Sequence, residues 1–237
     1  MAVFHLIACP RTLSTALMYA FAQRTDTTVI DEPFYANYLV RTGKQHPGRE
    51  AIIAAQSKEL TTQIKAINEH SNNHIFVKNI AHHLYDIEVN FLMGYHNIFY
   101  LRDPRRILTS MAKIMPDPSM MDIGIKVQYE TMRRLKKANK KFLVLNSSDL
   151  LAAPASMLNK LCAELGIEFQ NAMLQWPAGP KSYDGVWASH WYKSLHKTTG
   201  FGQENISTDP LPARLESLCA EATEYYNLIN KHALKIG

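Results

Sequence analysis

The sequence predicts an α/β protein in which helices flank a central, mostly parallel sheet of about five strands. Two observations carry that prediction. Short apolar runs alternate along the chain with longer helical patterns, as strand–helix–strand crossovers require. No linker, repeat or low-complexity tract divides the 237 residues, so residues 1–237 are read as a single domain.

The strands are expected at Val3–Ala8, Thr28–Ile30, His74–Lys78, Asn97–Leu101 and Lys141–Leu145. Helices are expected at Thr15–Gln23, Arg49–Asn68, Leu84–Leu92, Pro104–Ala112, Asp122–Ala138 and Pro154–Leu165. Pro104 and Pro154 stand where a first helical turn tolerates proline, and Gly166 follows Leu165 as a stop. Residues 176–212 are rich in Gly, Pro, Ser and aromatics and read as a long ordered loop region. A last helix is expected from Ala213 to Leu234.

Apolar residues make up 46 % of the chain, which suits a packed core. Lys and Arg total 26 against 21 acids, for a net charge of +5, with ten His besides. That excess suits a small polyanionic ligand. Nucleic acid is not expected, because no basic run is interleaved with aromatics. The densest run, Arg133, Arg134, Lys136, Lys137, Lys140 and Lys141, reads as a solvated helix face. Cys9, Cys162 and Cys219 are odd in number and widely spaced, giving neither a disulfide framework nor a zinc spacing. The start is too short and too lightly charged for a signal peptide, and no apolar stretch reaches membrane-spanning length. A soluble cytoplasmic protein with no membrane partner is expected; a homodimer stays open.

The strand at Val3–Ala8 runs at once into Cys9-Pro10-Arg11-Thr12-Leu13-Ser14-Thr15 and then a helix. This is the layout of an anion cradle. Unpaired N–H groups and the positive end of the dipole sit at the helix start. Arg11 adds a planar fork suited to phosphate or sulfate, and Ser14 and Thr15 are expected to cap the helix. The nucleotide loop GxxxxGK[ST] is absent, so this is not an ordinary ATP or GTP loop. A second signal is Phe99-Tyr100-Leu101-Arg102-Asp103-Pro104-Arg105-Arg106-Ile107-Leu108-Thr109-Ser110. It sets Arg102 at a strand's carboxyl end and Ser110 two turns into the next helix, where both could meet one anion.

In this order, Pro-Arg-Thr-x-Ser-Thr and then Arg-Asp-Pro-Arg-x5-Ser resemble the sulfotransferase family, and specifically bacterial sulfotransferase-like proteins with an Asp-Glu-Pro-Phe segment after the first helix. Two later stretches extend the resemblance. Phe142 to Leu151 is similar to the family's strand ahead of its acidic-Leu turn, and Trp187 to Phe201 resembles its late loop. The resemblance implies a P-loop-type three-layer α/β/α fold. It implies transfer of a sulfuryl group from PAPS (3′-phosphoadenosine 5′-phosphosulfate) to a hydroxyl of a small acceptor, with PAP (3′-phosphoadenosine 5′-phosphate) as product. Arg11, Thr12, Leu13, Ser14 and Thr15 then bind the 5′-phosphosulfate, Arg102 and Ser110 the 3′-phosphate, and Thr199, Gly200 and Phe201 close over the nucleotide. Leu13 departs from the family's glycine.

The transfer needs a base for the acceptor hydroxyl and cations for the leaving oxygens. Glu32, in Asp31-Glu32-Pro33-Phe34, follows a strand at the ligand edge and is the first candidate, although nearby cations would lower its pKa. Lys78 matches the family lysine that steadies the leaving phosphate. The family histidine position is Ile80, so His82 and His83 are the rival bases. A metal on His82, His83 and Asp86 lacks a further ligand, and none is expected. Tyr35, Tyr38, Trp187, Trp191 and Tyr192 either line an acceptor pocket or belong to the core. Two other readings stand beside the enzyme: a non-catalytic PAP- or anion-binding protein, and an ATP-dependent phosphotransferase.

Overall fold

The computed structural model describes residues 2–70, 74–202 and 209–235. Its centre is a parallel sheet of β1 (Ala2–Ala8), β2 (Thr27–Asp31), β3 (His74–Ile80), β4 (His96–Leu101) and β5 (Phe142–Asn146), in the order β2-β3-β1-β4-β5. The helices are α1 (Ser14–Ala22), α2 (Tyr35–Thr42), α3 (Arg49–Ala55), α4 (Leu60–Asn68), α5 (Pro104–Met111), α6 (Met120–Ile123), α7 (Ile125–Lys137), α8 (Ser147–Ala152), α9 (Pro154–Leu165), α10 (Ala188–Trp191) and α11 (Glu216–Asn230).

Strand side chains alternate between two cores. Phe4, Leu6, Phe76, Ile98 and Tyr100 pack under α1 and α9 against Leu17, Phe21, Leu158 and Leu161. On the other face Ile7, Ile75, Val77, Phe99 and Val144 pack against Ile107, Leu135 and Ile229 from α5, α7 and α11. Each fully buried Leu, Ile or Phe contributes about 1.5–3 kcal/mol, so two filled faces make the expected three-layer α/β/α fold. The register aligns the carboxyl ends: Ala8 lies beside Ile80 and Tyr100, Asp31 beside Lys78, and Leu101 beside Asn146. Strand order reverses about β1, with β2 and β3 on one side and β4 and β5 on the other. Ligands in open α/β sheets bind beyond such a switch point.

Several helical expectations are corrected. Leu84–Leu92 is not a helix; single 3₁₀ turns, Ala81–Leu84 and Asn90–Gly94, flank an irregular stretch in which Asp86 is left-handed (φ 53°). Arg49–Asn68 breaks into α3 and α4 at Gln56, whose backbone is extended. Asp122–Ala138 divides at Gly124, and the last helix starts at Glu216 after a 3₁₀ turn. Helices α2 and α8 were not expected. The basic run along α7 is solvent-exposed, as expected. Within the loop region, α10 forms one helical turn, and residues 203–208 lie outside the described residues. Among the described residues no helix is long and apolar enough to cross a membrane.

Candidate functional site

The loop after β1 is built on two left-handed residues, Arg11 (φ 63°) and Leu13 (φ 64°). A non-glycine residue pays about 1–2 kcal/mol for that conformation, which explains why the resembling pattern carries glycine where this chain has Leu13. Ser14 and Thr15 do not cap α1. Leu13 is the N-cap residue, its carbonyl accepting from the Ala16 and Leu17 N–H groups at 3.0 and 3.4 Å, and it supplies no side-chain cap. Thr12 turns inward and donates to the Cys9 carbonyl at 2.7 Å. The helix start therefore keeps its positive end without a side-chain acceptor.

The second motif meets this loop. Arg102 at the end of β4 donates to the Arg11 carbonyl at 2.7 Å, and Arg11 Nε donates to Ser110 Oγ of α5 at 2.9 Å. Asp103 caps α5 by accepting from the Arg105 N–H at 2.7 Å, which points the helix at the same place. A cleft of 760 Å³ opens here, lined among others by Arg11, Arg102, Arg105, Arg106, Ser110 and Lys113. Burial and the neighbouring Arg102 lower the Arg11 pKa, the mark of a site that gains from an anion between its cations. Thr199, Gly200 and Phe201 are not among the residues lining the cleft. Gly200 bridges to Gln175, Trp176 N–H donates to the Thr199 carbonyl at 3.0 Å, and Phe201 packs edge-on against Trp176 with ring centroids 5.1 Å apart.

On the other side of the loop lies a buried ionic cluster. Lys78, only 1 % exposed, donates to Asp31 at 3.0 Å, to Glu32, and to the Tyr192 hydroxyl at 2.6 Å. Glu32 is left-handed (φ 41°), and its N–H is held by the Lys78 carbonyl at 2.7 Å. Burial, opposed by Lys78 and reinforced by Asp31, raises the Glu32 pKa to about 7. This corrects the expectation that cations would lower it: two carboxylates share one ammonium, and desolvation outweighs the attraction. Burial disfavours a charged Lys78, but Asp31 and Glu32 outweigh it and raise its pKa.

The histidines are buried and neutral. Burial depresses His82 to about 3 and takes His83 well below 6.5. His82 packs on Tyr38, whereas His83 stacks on Tyr35 and brings Nε2 to 3.8 Å from Glu32. Among the described residues no group of three His, Cys, Asp or Glu is arranged to hold a metal.

Three contributors were missed or undervalued in the sequence. Asp31 accepts from Lys78, from Tyr192 at 2.9 Å and from the Gly185 N–H at 3.2 Å. Gln56 donates to the Glu32 carbonyl and accepts from the Ala36 N–H, both at 3.0 Å, so the break between α3 and α4 braces the Glu32 turn. Tyr192 belongs to a segment tied to α1 through Asp184, which accepts from Tyr19 at 2.7 Å and contacts His196 at 2.9 Å. Only the run Asp31-Glu32 gave a local signal; the rest follows from packing.

Residues 3–233 match the family model described as a sulfotransferase domain. The chain is 33 % identical over 233 residues to branched-chain-amino-acid aminotransferase-like protein 1 of Arabidopsis thaliana, a match covering 97 % of this chain and 42 % of that protein. It thus spans less than half the length of the curated relatives it matches. Among solved structures, a sulfotransferase from Alicyclobacillus acidocaldarius is similar at a TM-score of 0.57 and 9 % identity, over 99 % of this chain and 97 % of that one. The sulfotransferase domain from the curacin biosynthetic pathway is similar at 0.53 and 14 %, over 94 % and 97 %. At those identities the structures speak to the fold, and it is the fold found here. With the family model matched over nearly the whole length, the chain belongs to the sulfotransferase family.

Proposed function

We propose that this chain, as one domain, moves a sulfuryl group from PAPS to a hydroxyl of a small acceptor in the cytoplasm. One observation carries the reading: two motifs far apart in sequence meet through the 2.9 Å contact of Arg11 with Ser110, at a helix start without a side-chain cap. The start of α1 with Arg11, Ser14 and Thr15 would hold the 5′-phosphosulfate, with Thr12 and Leu13 shaping the turn. Arg102 and Ser110 would hold the 3′-phosphate. When bound, PAPS supplies the activated sulfuryl group. Lys78 would steady the leaving oxygen, and Glu32 would take the acceptor proton. Arg11, Lys78, Arg102 and the α1 dipole provide positive charge without a metal. The free, buried cysteines suit a reducing compartment.

Calorimetry with PAP tests the donor site. Arg11→Ala should weaken PAP at least ten-fold, about 1.4 kcal/mol. Arg102→Ala should discriminate against PAP far more than against adenosine 5′-phosphosulfate, which lacks the 3′-phosphate, and chelation should change neither. Unchanged affinity in Arg11→Ala would remove the loop assignment. The enclosure of Lys78 by two carboxylates favours one rival, a PAP-binding protein without turnover. PAPS turnover with a panel of hydroxyl acceptors separates the two.

A further inference from the structure

Helix α7 turns a buried stripe to the sheet, with Ile125, Met132 and Leu135 in it, and one member of that stripe is a carboxamide, Gln128. Gln128 has no exposed surface. A buried amide is costly unless its hydrogen bonds are made, and a leucine or methionine would fill the stripe without that requirement. Its bonds therefore give the reason for its presence. Nε2 donates to the Ile7 carbonyl of β1 at 2.7 Å and to the Tyr100 carbonyl of β4 at 3.0 Å. Oε1 accepts from the Cys9 thiol at 3.3 Å. Burial raises the Cys9 pKa, so the thiol keeps the proton it donates. Both amide hydrogens and the amide oxygen are engaged.

The three partners mark a fork in the sheet. β1 and β4 run side by side as far as Ala8 and Tyr100. There Cys9 leads the chain from β1 into the anion loop, while β4 continues through Leu101, paired with Asn146 of β5, to Arg102. On the first branch Cys9 is fixed twice. Gln128 holds its thiol, and its carbonyl accepts at 2.7 Å from Thr12, which stands between left-handed Arg11 and Leu13. On the second branch Tyr100 stands two residues before Arg102. The amide is itself well seated. Gln128 N–H donates to the Gly124 carbonyl at 3.0 Å, and a Cβ on Gly124 would stand 3.2 Å from the His82 backbone nitrogen. Arg102 joins the same branches at the exposed edge by donating to the Arg11 carbonyl, and Gln128 joins them inside the core.

We propose that Gln128 is a positioning residue that sets the span between the two phosphate seats of the donor nucleotide. This rests on the PAPS reading above, which puts the 5′-phosphosulfate on the Arg11 loop and the 3′-phosphate on Arg102 and Ser110. Fully enclosed, Gln128 acts through Cys9 and the two strands rather than by touching the nucleotide. A ligand with two anchors gains from the second only when the distance between the seats matches its own. A clamp on both branches of the fork fixes that distance. A ligand with a single phosphate does not sense it.

Calorimetry with PAP, adenosine 5′-monophosphate and adenosine 3′-monophosphate tests this on Gln128→Met, which keeps the length of the side chain and loses the amide. PAP affinity should fall about ten-fold or more, while each monophosphate changes by less than about two-fold. Loosened packing alone weakens all three ligands alike, so equal losses overturn the assignment, as does unchanged PAP affinity. In an Arg102→Ala background the second anchor is already gone, and Gln128→Met should cost PAP less than about two-fold more. An undiminished second loss overturns the role too. If Gln128→Met does not fold, Cys9→Ala decides. It removes the thiol donor, leaves both carbonyl bonds, and should lower PAP affinity about three-fold with adenosine 5′-monophosphate unchanged; equal changes overturn it. The wild type separates the two levels. Equal losses in a protein whose wild type binds PAP defeat the positioning role alone, and a wild type that does not bind PAP defeats the PAPS reading with it.

Discussion

Glu32 shows how one residue becomes reactive through placement. It is left-handed, held by the Lys78 carbonyl and by Gln56, and buried beside a second carboxylate. Strain of this kind in a non-glycine residue costs about 1–3 kcal/mol and concentrates at functional sites. A base works only unprotonated, so kcat should rise with pH through about 7, the raised value of this carboxyl. Glu32→Gln should lower kcat by roughly 10²-fold and erase that acid limb while sparing PAP affinity. His83→Ala should be milder. Retention of both rate and limb in Glu32→Gln would pass the role to another group. The acid pair was legible in the sequence because Asp31-Glu32 follows a strand. Its high pKa was not, because it depends on burial and on Lys78, contributed by a different strand.

At the scale of elements, hydrophobic spacing placed the strands within two residues at each end and the span of α9 in full. It failed where a backbone angle interrupts a continuing apolar pattern. Gly124 is the clearest case. Its φ of 75° ends α6 and begins α7, and a Cβ there would stand 3.2 Å from the His82 N–H nitrogen. An alanine must bear left-handed strain and crowd the turn that carries His82 and His83. Gly124→Ala should therefore cost about 1–2 kcal/mol, read as a lower urea midpoint with an unchanged slope. An unaltered midpoint would show that the junction relaxes freely. α2 escaped notice for a related reason: Tyr35 and Tyr38 read only as pocket or core aromatics, and it is the turn at left-handed Glu32, whose carbonyl accepts from the Tyr35 N–H at 3.1 Å, that leads into the helix.

For the whole molecule, three fully buried histidines set the response to acid. Burial lowers His5 to about 4 and His82 to about 3, and His83 lies well below 6.5; His5 Nε2 already accepts from Asn79 at 2.8 Å. Below about 6.5 the unfolded chain takes protons that the native state refuses, so stability falls as pH falls, by about 1.4 kcal/mol per unit per histidine. Glu32 acts in the opposite sense between about 7 and 4.5, because its raised carboxyl binds a proton first in the native state. His46 and His74, which burial also lowers, act in the same sense as these three, and five groups against one predict a clearly lower urea midpoint at pH 5.5 than at pH 7.5. Equal midpoints would mean that these histidines open to water before the chain unfolds.

The sequence by itself determined the parallel α/β layout, the strand–loop–helix anion cradle, the Arg102–Ser110 motif and the family. Each is local: apolar spacing, a turn beside a helix start, or a motif of about a dozen residues can be read without knowing what lies across the sheet. The tertiary structure alone decided that Arg11 meets Ser110, that Leu13 rather than Ser14 is the N-cap residue of α1, that Lys78 is enclosed, and that Tyr192 faces Glu32. Those depend on which carboxyl ends the register aligns and on where a segment about 160 residues downstream comes to rest. Charge and hydrogen bonding act through distance in space, and distance along the chain does not report it.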